Sequence, residues 1–444
     1  MLQRKITGQL QKWYGSNSGR ALLLTGARQV GKTTSVRAFA DESKLELAEV
    51  NFYQNTDAIE LVSQAKTADD LLFRLSVLTG KRIDQEGTLL FLDEIQECQD
   101  LLTWVKFLSE KHQLKAILSG SLLGIDAFVN VRSLPVGYLQ TIEMFPLDFE
   151  EFCWACKLPE EALDMAFDAA IQGEPIPDYL DSRLQEFFRT YLLVGGMPAA
   201  VQNYVDSPQI VPVRETQRAI FDLYEADVAK YVNDKTEARQ IKMVYEAIPG
   251  QLNTPSKRFK YTRLEKDLRF ANLETAFDWL AAAGVAISAT RVGSIDFPLG
   301  LSEDRNSFKL FMNDVGLLTS RLLGKVEVEV LSKRTNINYG SIFENAVAQE
   351  LLAQGFTPHY YYSSKNGEVD FVVEDSDLGL VLPIEVKSGK DYKRHNALTN
   401  LLATSGDSID RAVVLCDGNV EFENKRLYLP VYLAGKLRRL MREG

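Results

Sequence analysis

Histidine and cysteine are both scarce in this chain: three and four residues among 444. Chemistry built on paired imidazoles is not expected, because His112, His359 and His395 have no partner nearby in sequence. The cysteines are too few for a disulfide framework and fit a reducing compartment. Cys153-Trp154-Ala155-Cys156 has the C-x-x-C spacing but no second pair, so buried thiols are expected rather than a zinc or redox site. Positive charge is also short. With 50 Lys and Arg against 61 Asp and Glu, the net charge is −11, which speaks against a protein that coats nucleic acid by neutralising phosphates. Local basic patches stay open. No apolar run reaches the ~18 residues of a membrane span, and Met1 to Ile6 holds no apolar leader, so a cytoplasmic protein without a membrane partner is expected.

What is present is the composition of a soluble globular protein, 45% hydrophobic and 25% charged. A single core rarely grows past ~250 to 300 residues, so two to four domains are expected. The strongest pattern lies near the start. Leu22-Leu23-Leu24 is an apolar strand, and Gly26, Ala27, Arg28, Gln29, Val30, Gly31, Lys32 and Thr33 fit G-x-x-x-x-G-K-[ST] without a mismatch, with Thr34 next. The two glycines let successive N–H groups turn inward, so loop and helix start cradle a polyphosphate. Lys32 would reach the β/γ-phosphates and the Thr33 hydroxyl would ligate Mg2+.

Thr88 to Leu92 is a second buried strand, ending in Asp93-Glu94. Ligands collect at the carboxyl ends of parallel strands. Asp93 is therefore expected to hold Mg2+ through water, and Glu94 to activate an attacking water. Lys115 to Leu118 is a further strand leading into Ser119-Gly120-Ser121, where Ser121 is the first choice and Ser119 the second for orienting that water. Arg132 reads either as a surface residue or as a finger offered to a neighbouring subunit.

Leu24 to Thr34, Leu89 to Gln96, Ile117 to Gly124, Ser133 to Tyr138 and Phe145 to Phe152 together resemble the AAA-type ATPase domain of a large bacterial and archaeal family. Its members carry that domain ahead of a C-terminal domain of uncharacterised function. The resemblance runs nearly end to end and implies ATP, Mg2+ and a five-stranded parallel sheet. Tyr138 departs from it, standing beside Gly137 where the family often has a basic residue. Val194 to Val201 resembles the Gly-x-Pro segment that relatives of signalling ATPases place over adenine, which implies an adenine contact for Pro198. On residues alone, Gly195-Gly196-Met197-Pro198 is a helix-breaking turn.

From Ile241 to Arg291 the cadence is that of a winged helix-turn-helix, but its second helix carries Glu274 and Asp278 while Lys257, Arg258, Lys260 and Arg263 lie ahead of it. A packing or partner role is expected over base readout. Near the end, Glu368-Val369-Asp370 and Glu385-Val386-Lys387 sit on successive strands, with Glu344 on a helix upstream. Asp370 and Glu385 would share Mg2+ or Mn2+, and Lys387, on the same face, would steady the charge of a pentavalent phosphate. This order resembles the restriction-endonuclease-like fold, the P-D-(D/E)-x-K group, with Val369 in place of its proline. Lys390, Lys393 and Arg394 are candidates for holding DNA, and a fold retained without cleavage is the alternative.

The expected architecture is α/β: a P-loop ATPase core over 1–157, a helical lid over 158–238, a winged-helix-like domain over 239–335 and a restriction-endonuclease-like domain over 336–444. The expected function is Mg-dependent ATP hydrolysis coupled to a nuclease-like domain acting on nucleic acid. The alternative is an ATP-gated protein-interaction switch on a non-catalytic scaffold. Nucleic acid and further copies of the chain are admissible partners.

Overall fold

The computed structural model describes residues 2–16, 18–98, 100–112, 114–121, 137–232, 234–266, 268–323, 339–389, 391–405 and 409–443. They fall into two compact units, one of Gln3–Phe145 with Ala282–Gly284, the other mainly of Pro146–Ala281 and Val285–Gly444.

The first unit opens with α1 (Ile6–Gly15), which buries Ile6, Leu10 and Trp13 along one face. Then come β1 (Ala21–Thr25), α2 (Lys32–Glu42), β2 (Glu46–Asn51), α3 (Asp57–Ser63), α4 (Ala68–Thr79), β3 (Thr88–Asp93), α5 (Leu101–His112), β4 (Ala116–Ser119) and β5 (Leu139–Glu143). The strands lie in the order β2-β3-β4-β1-β5, every neighbouring pair parallel. β1, β3 and β4 are buried along their whole length, as central strands covered on both faces must be, whereas edge strands β2 and β5 are partly exposed. One face of the sheet packs Leu90, Leu92 and Leu118 against Leu71, Leu75 and Val105. Because the strands are parallel, Thr25, Asn51, Asp93 and Ser119 end on one edge.

The second unit begins with helices: α6 (Phe149–Ala155), α7 (Glu161–Gln172), α8 (Asp178–Val194), α9 (Pro198–Asp206), α10 (Ile210–Tyr231), α11 (Lys235–Leu252) and α12 (Glu274–Ala282). Strands β6 (Ala286–Val292) and β7 (Glu303–Met312) lead to α13 (Val315–Leu323) and α14 (Tyr339–Ala353). The chain closes with β8 (His359–Ser363), β9 (Gly367–Asp375), β10 (Leu380–Val386), α15 (Asn396–Ser405), β11 (Ala412–Cys416), β12 (Glu421–Glu423), β13 (Arg426–Pro430) and α16 (Leu437–Glu443). All eight strands form one mixed sheet, β12-β13-β11-β10-β9-β8-β6-β7.

That sheet crosses the boundary expected at 335. β6 pairs in parallel with β8, so the β6–β7 hairpin of the winged-helix-like stretch continues the C-terminal sheet. α12 buries Ala276, Phe277 and Leu280 and leaves Glu274 and Asp278 exposed, an acidic outer face unsuited to DNA. Cys153 and Cys156 are free, and burial raises both thiols, Cys156 to about 11, which leaves them unreactive.

Candidate functional site

The loop between β1 and α2 is shaped by backbone that only glycine tolerates. Gly26 has φ +139°, and a Cβ there would lie 2.2 Å from the Met144 carbonyl oxygen. Gly31, at φ 96°, turns the chain into α2. Lys32 is buried, and its Nζ donates to the Gly26 and Ala27 carbonyls at 2.9 Å each. Burial pushes this ammonium down from 10.5 to about 8, against the pull of Glu94 and Asp93 and with help from Arg28. Arg4 braces the loop from outside the motif by donating to Val30 O at 2.9 Å and Phe145 O at 2.7 Å.

Asp93 is the hub of the acidic side. Its Oδ2 accepts from Thr33 Oγ1 at 2.8 Å and Asn51 Nδ2 at 3.0 Å. Its Oδ1 accepts from the Glu94 N–H at 3.1 Å and from the Ser119 hydroxyl. Ser119, the second choice, is thus the serine that touches the acid. Ser121 is buried with its hydroxyl unpartnered. Glu94 is left-handed, φ 54° and ψ 48°, and accepts from the Gln96 amide. Among the expected residues Lys32, Thr33, Asp93 and Glu94 come together here, and Thr34 lies exposed on the first turn of α2. Asn51 and Arg4 were not expected, since each meets the site from 42 and 26 residues away with no short motif around it. Arg132 and residues 122–124 and 133–136 lie outside the described residues, as does Lys390.

Pro198 belongs to the second unit, where it is the first residue of α9. The turn before it is held by Asp314, fully buried, whose Oδ2 accepts from Gly196 N at 2.5 Å and Oδ1 from Leu317 N at 2.9 Å. Burial raises Asp314 to about 6 against these N–H bonds. Gly196 is required because a Cβ would lie 1.9 Å from Leu147 O.

The second constellation assembles across β9 and β10, antiparallel with Phe371 opposite Ile384. That register brings Asp370 beside the next strand, where its Oδ2 accepts from Val386 N at 2.9 Å. Lys387 Nζ donates to Glu385 Oε1 at 2.6 Å. Glu344, from α14, is buried with them. Two lysines not expected at this site enter it. Lys309 Nζ, on β7 and fully buried, lies 3.0 Å from Glu368 Oε1, 3.5 Å from Glu344 Oε2 and 3.8 Å from Asp370 Oδ1. Lys257 pairs with Glu344 Oε1. Arg258 grips Glu368 Oε2 with two nitrogens, at 3.0 and 2.8 Å, and stacks 3.8 Å over the Tyr362 ring.

The charges sort accordingly. Burial and then repulsion from Asp370 raise Glu385 to about 8, against Lys387. Burial raises Glu344 too, helped by Asp370 and opposed by Lys309 and Lys257. Burial alone would raise Asp370, but Lys309 and Lys257 hold it low. Burial alone would likewise lower Lys309, and Glu344, Asp370 and Glu368 outweigh it, so its ammonium stays charged. Among the described residues no three His, Cys, Asp or Glu side chains form a group that could hold a metal ion.

Residues 18–153 match a family model described as an AAA domain. Residues 185–327 and 339–433 match two domains of unknown function (DUF8612 and DUF4143). Residues 18–153 therefore carry a P-loop ATPase domain of the AAA type, followed in the chain by two stretches that match domains to which no function is attached. No curated protein matches the chain. Among solved structures, the Walker-type ATPase PABY2304 of Pyrococcus abyssi is 14% identical with a TM-score of 0.45, covering 72% of this chain and 96% of that one. The Aeropyrum pernix ORC2 protein, solved as ADPNP–ADP complexes, is 11% identical with a TM-score of 0.35, covering 74% and 92%. The ORC1 protein of the same organism, in complex with DNA, is 13% identical with a TM-score of 0.28, covering 74% and 94%.

Proposed function

We propose that the chain is a Mg-dependent ATPase whose nucleotide state is passed to a nuclease-like C-terminal domain acting on nucleic acid. The observation that carries the ATPase half is the buried Lys32 ammonium, donating to two loop carbonyls, beside the Thr33–Asp93 pair. A cation held so, at a helix start, fits a polyphosphate. Thr33 and Asp93 offer a hydroxyl and a carboxylate, oxygen ligands suited to Mg2+. Gly26 to Thr34 would hold the phosphates, and Thr33 and Asp93 the ion. Bound there, Mg2+ would neutralise charge on the phosphate oxygens.

The chain's own groups then divide the work. Lys32 meets charge that develops on the terminal phosphate. Glu94 takes the proton of an attacking water, with the Gln96 amide fixing its carboxylate. Asn51 and Ser119 hold the Asp93 carboxylate in place through their hydrogen bonds. Ser121, whose buried hydroxyl has no hydrogen-bond partner among the described residues, is the group proposed to orient the water. The proposed layout has 1–157 as ATPase core, 158–238 as lid, 239–335 as a winged-helix-like stretch whose β6–β7 hairpin joins the sheet of the nuclease-like 336–444, in a cytoplasmic protein.

The nuclease half is supported by the order α14, antiparallel β8-β9-β10, α15 and parallel β11, and by the meeting of Asp370, Glu385 and Lys387. The acids as arranged do not fit a divalent ion, because Lys309 stands among them, so no cleavage step follows from them. That observation favours the second reading, an ATP-gated interaction switch on a nuclease-like scaffold. ATP turnover separates the halves from one another: Glu94→Gln is expected to cut it by about 10²-fold or more, and unchanged turnover overturns the ATPase reading. Mg2+- or Mn2+-dependent cleavage of DNA or RNA that Lys387→Ala removes would uphold the nuclease half. No cleavage of either leaves the switch.

A further inference from the structure

We infer that the Lys309 ammonium is the resident cation of the C-terminal acid cluster and stands where the nuclease-like arrangement would otherwise seat a divalent ion. Three carboxylates converge on its Nζ within 3.8 Å, from Glu368, Glu344 and Asp370. The residue is fully buried, so no water shell competes for them. Lys257, Arg258 and Lys387 pair with the remaining faces of Glu344, Glu368 and Glu385. Four acids thus meet four cations, and the cluster has little net field left to draw a dication out of water.

A second observation shows which oxygens Lys309 serves through charge alone. Glu385 Oε2 is buried without a hydrogen-bond partner, on a residue only 5% exposed. Glu344 Oε2 and Lys309 Nζ are likewise buried without a hydrogen bond, and once Lys309 is removed the Glu385 and Glu344 oxygens are the ligand atoms an ion would claim.

Lys309 is delivered from outside the segment that carries Glu344, Asp370, Glu385 and Lys387. It lies on β7, at the end of the mixed sheet, opposite Ala289 on one side and bridged to Arg258 on the other. The 257–309 stretch therefore acts as a plug whose two ammonium groups serve the acids in place of metal. The ion-paired cluster is then a joint between this stretch and the nuclease-like strands, and it needs no ion to be complete.

The test is Mn2+ binding to the full chain without nucleotide, followed by electron paramagnetic resonance and calorimetry, which keeps it independent of the phosphate-loop assignment. Wild type is expected to take up no Mn2+ at these acids. Lys309→Met, which removes the charge and keeps the length, is expected to bind Mn2+ about tenfold or more tightly than wild type, since the competing charge is gone. Adding Asp370→Asn is expected to abolish that gain. Wild-type uptake that Asp370→Asn removes overturns the inference, and so does a folded Lys309→Met protein that gains no site. Should that variant fail to fold, Lys309→Gln replaces it, and the wild-type measurement still decides.

Discussion

Raising the pH from 7 to 9, with Mg2+ saturating the nucleotide, is expected to weaken ATP binding about tenfold through Lys32 alone. Burial lowers this ammonium from 10.5 to about 8 in the nucleotide-free protein. About nine-tenths of the free molecules then carry the charge at pH 7 and about one-tenth at pH 9. A triphosphate favours the charged form, so binding takes up a proton over this window and its affinity falls as the pH rises. Folding responds in the opposite direction. Between pH 8 and 10.5 the unfolded chain holds a proton that the folded one has lost, so stability rises by about 1.4 kcal/mol per pH unit, about 3 kcal/mol in all. Lys32→Met removes both effects and leaves the Gly26 and Ala27 carbonyls unpaired. The assays are calorimetry at pH 7, 8 and 9 in two buffers of different ionisation heat, and denaturant unfolding of wild type against Lys32→Met. Affinity that is flat with pH and free of proton uptake, or a wild-type-to-variant stability gap that does not change above pH 8, would refute the reasoning.

Glu94→Gln is expected to cut ATP turnover by about 10²- to 10⁴-fold while binding persists, as loss of a general base does; steady-state turnover against nucleotide affinity checks it. Gly26→Ala places a methyl 2.2 Å from Met144 O in left-handed backbone, so nucleotide binding is expected to be lost together with about 2 kcal/mol or more of stability, read by denaturant midpoint. Asp314→Ala strips Gly196 N and Leu317 N of their acceptor in a buried site and is expected to cost about 3 kcal/mol, visible as a lowered melting temperature.

The phosphate loop was legible because its chemistry is local: a strand, two glycines and Lys32-Thr33 within one short stretch. Asp93-Glu94 was legible for the same reason, as the end of a continuous apolar run. The choice between Ser119 and Ser121 was not, because it turns on where β4 stops, and β4 ends at Ser119. Asn51 and Arg4 carry no motif and reach the site only once β2 lies beside β3 and α1 is packed. Lys309 was hidden for the same reason. Its place among the acids depends on β6 joining β8 edge to edge, and the alternation of apolar residues tells which face a strand buries but not which strand it meets.

Titration calorimetry of the full chain with ATP and Mg2+, wild type against Lys32→Ala, tests the central claim most directly. The account predicts one nucleotide per chain for wild type and a loss of measurable binding in the variant. Equal heats from both proteins, or no binding by wild type, would contradict it.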